Sequence, residues 1–295
     1  MKEEEIKSYL RAGEIAKEVV EFSKKIVKEG ENLLEICEKL EGKILELGGK
    51  PAFPVNLSIN EIAAHDTARP NEDRVLKYGD VVKVDIGVHY NGYIADTAYT
   101  IEIGTSKYEK LISACEEALS EALKIVRPGI KISEIGKKIE EVSTKNGFTP
   151  VVNLGGHSID RFNLHSGKSI PNYDNRSSKR LEEGEVIAIE PFLTIGAGRV
   201  VETKDSEIFS LIEEKPVREN LAREVLKYIV DEYKKLPFAR RWIFKKFGNV
   251  DFILSSLVGM GILKNYPVLK EDSRKVIVQA EHTVIVLKEP LVTTR

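Results

Sequence analysis

Four carboxylates and one imidazole stand in contexts that could make them reactive: Asp85, Asp96, His157, Glu190 and Glu281. The segment VVKVDIGVHYNGYIADTAYTI reads as two strands joined by Asn91-Gly92, the preferred two-residue hairpin turn. That turn sets residue 87 opposite residue 96, and alternation puts Asp85, Gly87 and Asp96 on one face. Two carboxylates therefore converge diagonally, with a glycine leaving space beside them. Glu190 follows the apolar run Val186-Ile187-Ala188-Ile189, and Glu281 lies within IVQAEHTVI on the same face as Gln279 and Thr283. An imidazole is available in Gly155-Gly156-His157-Ser158, shortly after the apolar Val151-Val152, where a loop could deliver it to that face.

Four carboxylates in an otherwise apolar sheet repel each other and lose hydration, so either some are protonated or cations neutralise them. Two divalent ions balance four negative charges. The set is oxygen-rich with one nitrogen, which suits Mn, Fe or Co better than a thiolate-selected zinc site. The chemistry expected is hydrolysis at a dinuclear centre.

The elements that must position these residues come as a repeat. Apolar residues from Ile6 through Leu10, Ile15, Val19, Phe22 and Ile26 mark a first amphipathic helix that stops at Gly30. A second starts at Asn32, with Glu35 placed for a capping box, and stops at Gly48-Gly49. Ile26-Val27-Lys28-Glu29-Gly30 then matches Ile125-Val126-Arg127-Pro128-Gly129, and Gly48 and Pro51 match Gly147 and Pro150, all at an offset of 99. Gly79-Asp80-Val81-Val82-Lys83-Val84-Asp85 matches Gly184-Glu185-Val186-Ile187-Ala188-Ile189-Glu190 at an offset of 105. Asp85 and Glu190 thus hold equivalent places in a duplicated helix-helix-strand unit. Two such halves predict an α+β architecture around a central curved antiparallel sheet, with a cleft between the halves. Residues 206–268 switch to helical patterning without a counterpart in the first half and are expected to be an inserted helical subdomain. Residues 1–205 and 269–295 are expected to form the catalytic domain, with strand Val276–Val286 rejoining the sheet.

The order of Asp85, Asp96 in ADTA, His157 after glycine, Glu190 in IEP and Glu281 in EHT resembles the metal-binding signature of methionine aminopeptidases and their pita-bread relatives. The resemblance covers nearly the whole chain, and the insertion, the phrase LPFARRW from Leu236 to Trp242 and AFP at Phe53-Pro54 look like type 2. It implies two divalent metal ions (Co, Mn, Fe or Zn), with Asp85 on one, His157 and Glu190 on the other, and Asp96 and Glu281 bridging. A water held between ions ~3.5–4 Å apart would be aimed at the first peptide bond, removing the N-terminal Met of peptides and nascent proteins. The resemblance also makes Glu190 a proton shuttle and His65 and His165 catalytic, donating to the peptide and the tetrahedral intermediate. Phe53, Pro54, Leu164 and Tyr266 match pocket positions suited to methionine.

Each residue also has a plainer reading. Asp96 alone would be a turn or capping residue, His65 a hydrogen-bonded structural histidine, and Phe53 and Tyr266 core aromatics. His89 lies next to the turn and His282 points away from Glu281, so both are expected to be structural or exposed. A proline-specific dipeptidase of the same fold would use the same ligands, and a binding protein on this fold would lack some of them. Without the family, a phosphoester hydrolase would also fit, although few basic residues flank the ligands.

Composition narrows the rest. The 295 residues carry a formal net charge of -2, so no global basic field favours nucleic acid. The basic cluster Lys234, Lys235, Arg240, Arg241, Lys245 and Lys246 is read first as a solvated helix face, with ribosome contact as the sharper alternative. No apolar run is long enough to span a membrane, and the acidic, helix-patterned start is no secretory signal. Cys37 and Cys115 lack CxxC spacing, which argues against a disulfide framework. A cytoplasmic monomer is expected.

Overall fold

The computed structural model describes residues 1–295. Its first half runs α1 (Glu3–Ile26), α2 (Leu33–Glu46), β1 (Lys50–Pro51), β2 (Asn56–Ile59), β3 (Ile62–Ala64) and the hairpin β4 (Val81–Tyr90) and β5 (Tyr93–Glu102). The second runs α3 (Glu109–Lys124), α4 (Ile132–Lys145), β6 (Thr149–Pro150), β7 (Gly156–Ile159), β8 (Ser169–Ile170), β9 (Val186–Ile189), β10 (Phe192–Thr194) and β11 (Val200–Leu211). Then come α5 (Asn220–Tyr233), β12 (Phe238–Ala239), α6 (Arg240–Phe247), α7 (Asp251–Gly259) and β13 (Leu263–Glu271). The chain closes with β14 (Ile277–Gln279), β15 (Glu281–Ile285) and β16 (Leu291–Val292).

The duplication is written into the backbone. Gly30 and Gly129 take φ of 81° and 83°, and Gly79 and Gly184 both take 86°, the left-handed conformation that favours glycine. Gly30 N donates to Leu76 O as Gly129 N donates to Leu181 O, and Ala52 N donates to Gly87 O as Val151 N donates to Phe192 O. The isolated bridge between Asn32 and Val75 recurs between Lys131 and Arg180. Asn32 caps α2 by accepting from the Leu34 and Glu35 amides.

The two halves meet in a nine-stranded antiparallel sheet, in which β15 lies between β5 of the first half and β9 of the second. Helices cover one face of it. Val82, Val84, Ile86 and Val88 of β4 pack under α1 and α2, while Ile187 and Ile189 of β9 and Val284 of β15 pack under α3 and α4. Burying each such side chain contributes about 1.5–3 kcal/mol. The alternate residues, Asp85, Gly87, Ala188 and Glu281, fall on the other face by the period-two rule.

Three expectations need adjustment. Val276–Val286 is not one strand: β14 pairs with β10 in a separate three-stranded sheet, and only β15 joins the large one. The break at Ala280 faces a break at Pro191, which has no N–H to continue the ladder, and Ala280 N instead donates to Pro191 O. Nor is 206–268 helical to its ends, since 206–211 extend β11 and 263–268 begin β13, which pair antiparallel and carry β12 and β3. The helices α5 to α7 form a separate apolar cluster with Phe209, Phe238 and Leu263. The basic cluster is not one solvated face either: Arg241 is buried and paired with Glu41, and Arg240 pairs with Asp251 and Glu207.

β7 and β9 cross closely at Gly156, where a Cβ would lie 2.2 Å from the Ala188 carbonyl oxygen. Backbone cannot yield as a side chain can, so Gly156→Ala is expected to destabilise the protein by about 1–3 kcal/mol. Calorimetry would show it as a lowered Tm, and an unchanged Tm would mean that β7 and β9 separate freely.

Candidate metal centre

Residue 87 does face residue 96, which sets Asp85 opposite Ala98 and diagonal to Asp96. A Cβ on Gly87 would lie 2.2 Å from Phe53 Cε1, so the space left by that glycine is filled by the Phe53 ring. β15 brings Glu281 opposite Ala98, and the Thr283 hydroxyl accepts from Asp96 N and donates to Asp96 O, both at 2.8 Å. From the other half, β7 sets His157 opposite Ala188 of β9, two residues before Glu190. His157 Nε2 lies 3.6 Å from Asp96 Oδ2 and 3.9 Å from Glu190 Oε1.

Asp96, His157 and Glu281 form the tightest group, with one ligand atom from each within 4.8 Å of the others. Asp85 and Glu190 line the same cavity around it. Asp85 Oδ1, Asp96 Oδ1 and Glu281 Oε1 are buried without a hydrogen-bond partner. Native folds rarely leave such atoms orphaned, because each costs about 1–3 kcal/mol or more when charged. These oxygens fit divalent cations.

The electrostatics agree. Burial pushes the Asp85 carboxyl up to about 7, against a hydrogen bond from Gln279. Asp96 is raised well above its ordinary value by burial and then by Asp85, and Glu190 by burial and then by Asp96 and Asp85. Glu281 is raised by burial and then by Asp96, Glu190 and Asp85. His157 goes the other way, down to about 4 through burial, and is therefore a neutral ligand at pH 7.

Above this floor opens a cavity of about 650 Å³. Phe53, Leu164, His65, His165 and Tyr266 line it. Pro54 does not: it is buried behind the wall, and its carbonyl accepts the Asn56 side-chain amide at 2.8 Å. His165 stands with its ring centroid 4.3 Å from that of His157. Its pKa is pushed down by the cleft walls and then by His157, His65 and Lys264. His65 has φ of 63°, a left-handed conformation costing a bulky residue about 1–3 kcal/mol. Its ring meets Tyr266 edge-on, and Nδ1 lies 3.0 Å from Pro267 O. A carbonyl cannot donate, so Nδ1 carries the proton and neutral His65 presents Nε2 as an acceptor, not as the donor expected.

Sequence reasoning missed several neighbours. Gln279 Nε2 donates to Glu190 Oε2 at 3.2 Å and reaches Glu281 Oε2 at 3.4 Å. Its alternation with Glu281 was a usable signal. Asn56 lies opposite Asp85, and Ile208, Pro237 and Lys264 close the cavity from the β11–β13 side, which no local pattern announces. His89 and His282 stay outside: Gly92 N donates to His89 Nδ1, and His282 Nδ1 pairs with Thr294 Oγ1.

Residues 7–286 match the family described as Metallopeptidase family M24. A Thermococcus onnurineus protein named "Methionine aminopeptidase" is 50% identical over 289 residues, covering 97% of this chain and 98% of that protein. Among solved structures, that of a thermophilic Arx1 is similar with a TM-score of 0.86 at 15% identity, covering 99% of this chain and 91% of the other. Methionine aminopeptidase from Rickettsia prowazekii is similar with a TM-score of 0.73 at 23% identity, covering 100% and 98%. At these identities the solved structures speak to the fold alone, which is the pita-bread architecture of helix pairs over a curved antiparallel sheet.

Two measurements follow. Gln279→Met removes the donor that orients Glu190 and Glu281 and is expected to weaken divalent-metal binding about 10- to 100-fold by titration calorimetry; unchanged affinity would make Gln279 a packing residue only. The second concerns pH. A raised acid stabilises the metal-free fold below its ordinary value, 3.8 for Asp85, and that contribution is lost as pH rises through about 7. Cations compete with those protons, so the rise in Tm on adding Mn should grow as pH increases through about 7. A pH-independent rise would refute ligation by these carboxylates.

Proposed function

We propose that this chain, which belongs to metallopeptidase family M24, is a methionine aminopeptidase that removes the N-terminal methionine from peptides and newly made proteins. The observation that carries this reading is one cavity whose floor is a carboxylate and imidazole cluster and whose wall is the apolar surface of Phe53, Leu164 and Tyr266. The name shared by relatives of near-equal length supplies methionine as the residue that the pocket holds.

Asp85, Asp96, His157, Glu190 and Glu281 would hold two divalent cations, which would supply Lewis acidity toward a water and toward the substrate's free α-amine. Glu190, which a bound cation would hold as the carboxylate, would take the water's proton and pass it to the departing amine. His65 Nε2 accepts from a substrate N–H, because its Nδ1 is committed to Pro267 O. His165 is the histidine free to donate to oxygen developing negative charge, and its lowered pKa keeps it a neutral imidazole with one N–H. Phe53, Leu164 and Tyr266 exclude water from the methionine side chain.

In the same reading, residues 206–268 are an inserted subdomain on a catalytic domain of 1–205 and 269–295. No helix is long and apolar enough to cross a membrane. A cytoplasmic monomer would meet its substrates as they are made. With Arg240 and Arg241 engaged in ion pairs, a ribosome contact would fall to the exposed Lys234, Lys235, Lys245 and Lys246.

The test loads the stripped protein with Mn, Co, Fe or Zn and measures methionine released from a Met-Ala-Ser peptide, its N-acetylated form and an Ala-Pro peptide. Release from the free-amine Met peptide alone is expected, with kcat lowered about 10²- to 10⁴-fold in Glu190→Gln. Cleavage of Ala-Pro alone would reassign the chain to proline-specific peptidases, and no cleavage with any metal would leave a binding protein.

A further inference from the structure

Two surfaces that face the substrate hang from one guanidinium supplied by the insertion. Arg241, in the first turn of α6, is 5% exposed and paired with Glu41 of α2. Its Nη1 donates to Thr67 Oγ1 at 2.7 Å and to Ala68 O at 3.0 Å, on the segment that follows His65. The Thr67 hydroxyl in turn donates to Val55 O at 2.6 Å. Glu41 closes the loop, because Val55 N donates to its Oε1 at 3.2 Å and the Trp242 indole donates to its Oε2 at 2.8 Å. Both backbone polar groups of Val55, two residues beyond Phe53, therefore end on this network.

The destinations of these bonds matter more than their number. A bond set meant only to hold the insertion together could stay inside it, as that of the neighbouring Arg240 does to Glu207 of β11 and Asp251 of α7. Arg241 instead leaves its own region for two segments that flank the cavity, one reached through Thr67 and Glu41 at Val55 and the other directly at Thr67 and Ala68. One carries Phe53, and the other carries His65 in its left-handed conformation, which lasts only where the surroundings over-determine it. Arg74 holds Asp66 from one side with two bonds, at 2.7 and 3.1 Å, and Arg241 holds Thr67 and Ala68 from the other. The rigid planar fork of an arginine can serve several acceptors at once, as a lysine cannot.

We propose that Arg241 is a positioning residue, which fixes the Phe53 wall and the His65 ring at one separation by tying Val55, Thr67 and Ala68 to Glu41. The proposal rests on the reading that His65 and Phe53 face the substrate. None of the five metal-binding side chains belongs to the network, so metal affinity is independent of it.

The test uses the metal-loaded full chain and the Met-Ala-Ser peptide, reading kcat, KM, metal affinity and Tm for Arg241→Met, Arg241→Lys, Thr67→Val, Arg240→Met and His65→Ala. Misplacing two substrate-facing segments by a fraction of an ångström is expected to lower kcat/KM about 10- to 100-fold in Arg241→Met, with metal affinity unchanged. Arg241→Lys should recover part of that loss, and Thr67→Val, which leaves the ion pair intact, should reproduce part of it. Arg240→Met should lower Tm while leaving kcat and KM at wild-type values. Wild-type kcat and KM in Arg241→Met would overturn the proposal, as they would in Thr67→Val should the arginine variant fail to fold. Wild-type kcat in His65→Ala, with the parent enzyme active, would instead overturn the reading of His65 beneath it; an inactive parent would overturn the proposed function.

Discussion

The mutual repulsion of four carboxylates withdrawn from water is the constraint on which the rest of this structure depends. Asp85, Asp96, Glu190 and Glu281 lie on one face of a sheet, and three of their oxygens have no partner in the protein. The effective cost of burying one unpaired charge is still several kcal/mol after relaxation. The fold meets that cost from the opposite face, where branched side chains of the same strands are fully buried under two helix pairs. The neighbours of the acids then fix where they point. Thr283 is bonded to both backbone groups of Asp96, and Gln279 donates to Glu190 and approaches Glu281. An apolar residue at either place would leave the acids rotationally free, and a second acid would add to the repulsion.

Duplication explains how one chain assembles such a floor. Asp85 and Glu190 occupy equivalent places in the two halves, and β15, inserted between β5 and β9, adds Glu281 at the seam. The same helix-ending glycines and the same loop-closing hydrogen bonds recur in each half, so each half holds its strand edge at one angle to its helices. At Pro191 and Ala280 the ladder steps from one sheet to another.

This division also decides what could be read from the sequence. The facing of Gly87 and Asp96 was legible because a two-residue Asn-Gly turn leaves one register, and the equivalence of Asp85 and Glu190 because the repeats share glycine spacing. The break at Ala280 was not, since its cause lies 89 residues earlier in the partner strand, at Pro191. The family resemblance, not residue type, pointed to His65, and neither could give its tautomer, which is set by the carbonyl of Pro267, a distant residue in sequence. The basic cluster misled for the same reason: charge counting along a helix cannot see that Glu41, 200 residues away, buries one of its arginines.

The symmetric halves account for the floor but not for all of the cavity's wall. Ile208, Pro237, Lys264 and Tyr266, which line the cavity together with the acids, all come from β11, β13 and the chain between them, a region with no counterpart in the first half. Two symmetric halves alone would lack these four side chains, and the cavity would be open where they now stand. The asymmetry introduced between β11 and β13 therefore shapes the space beside the acids, and Arg241, from the same region, ties it to Glu41 and Thr67 of the first half.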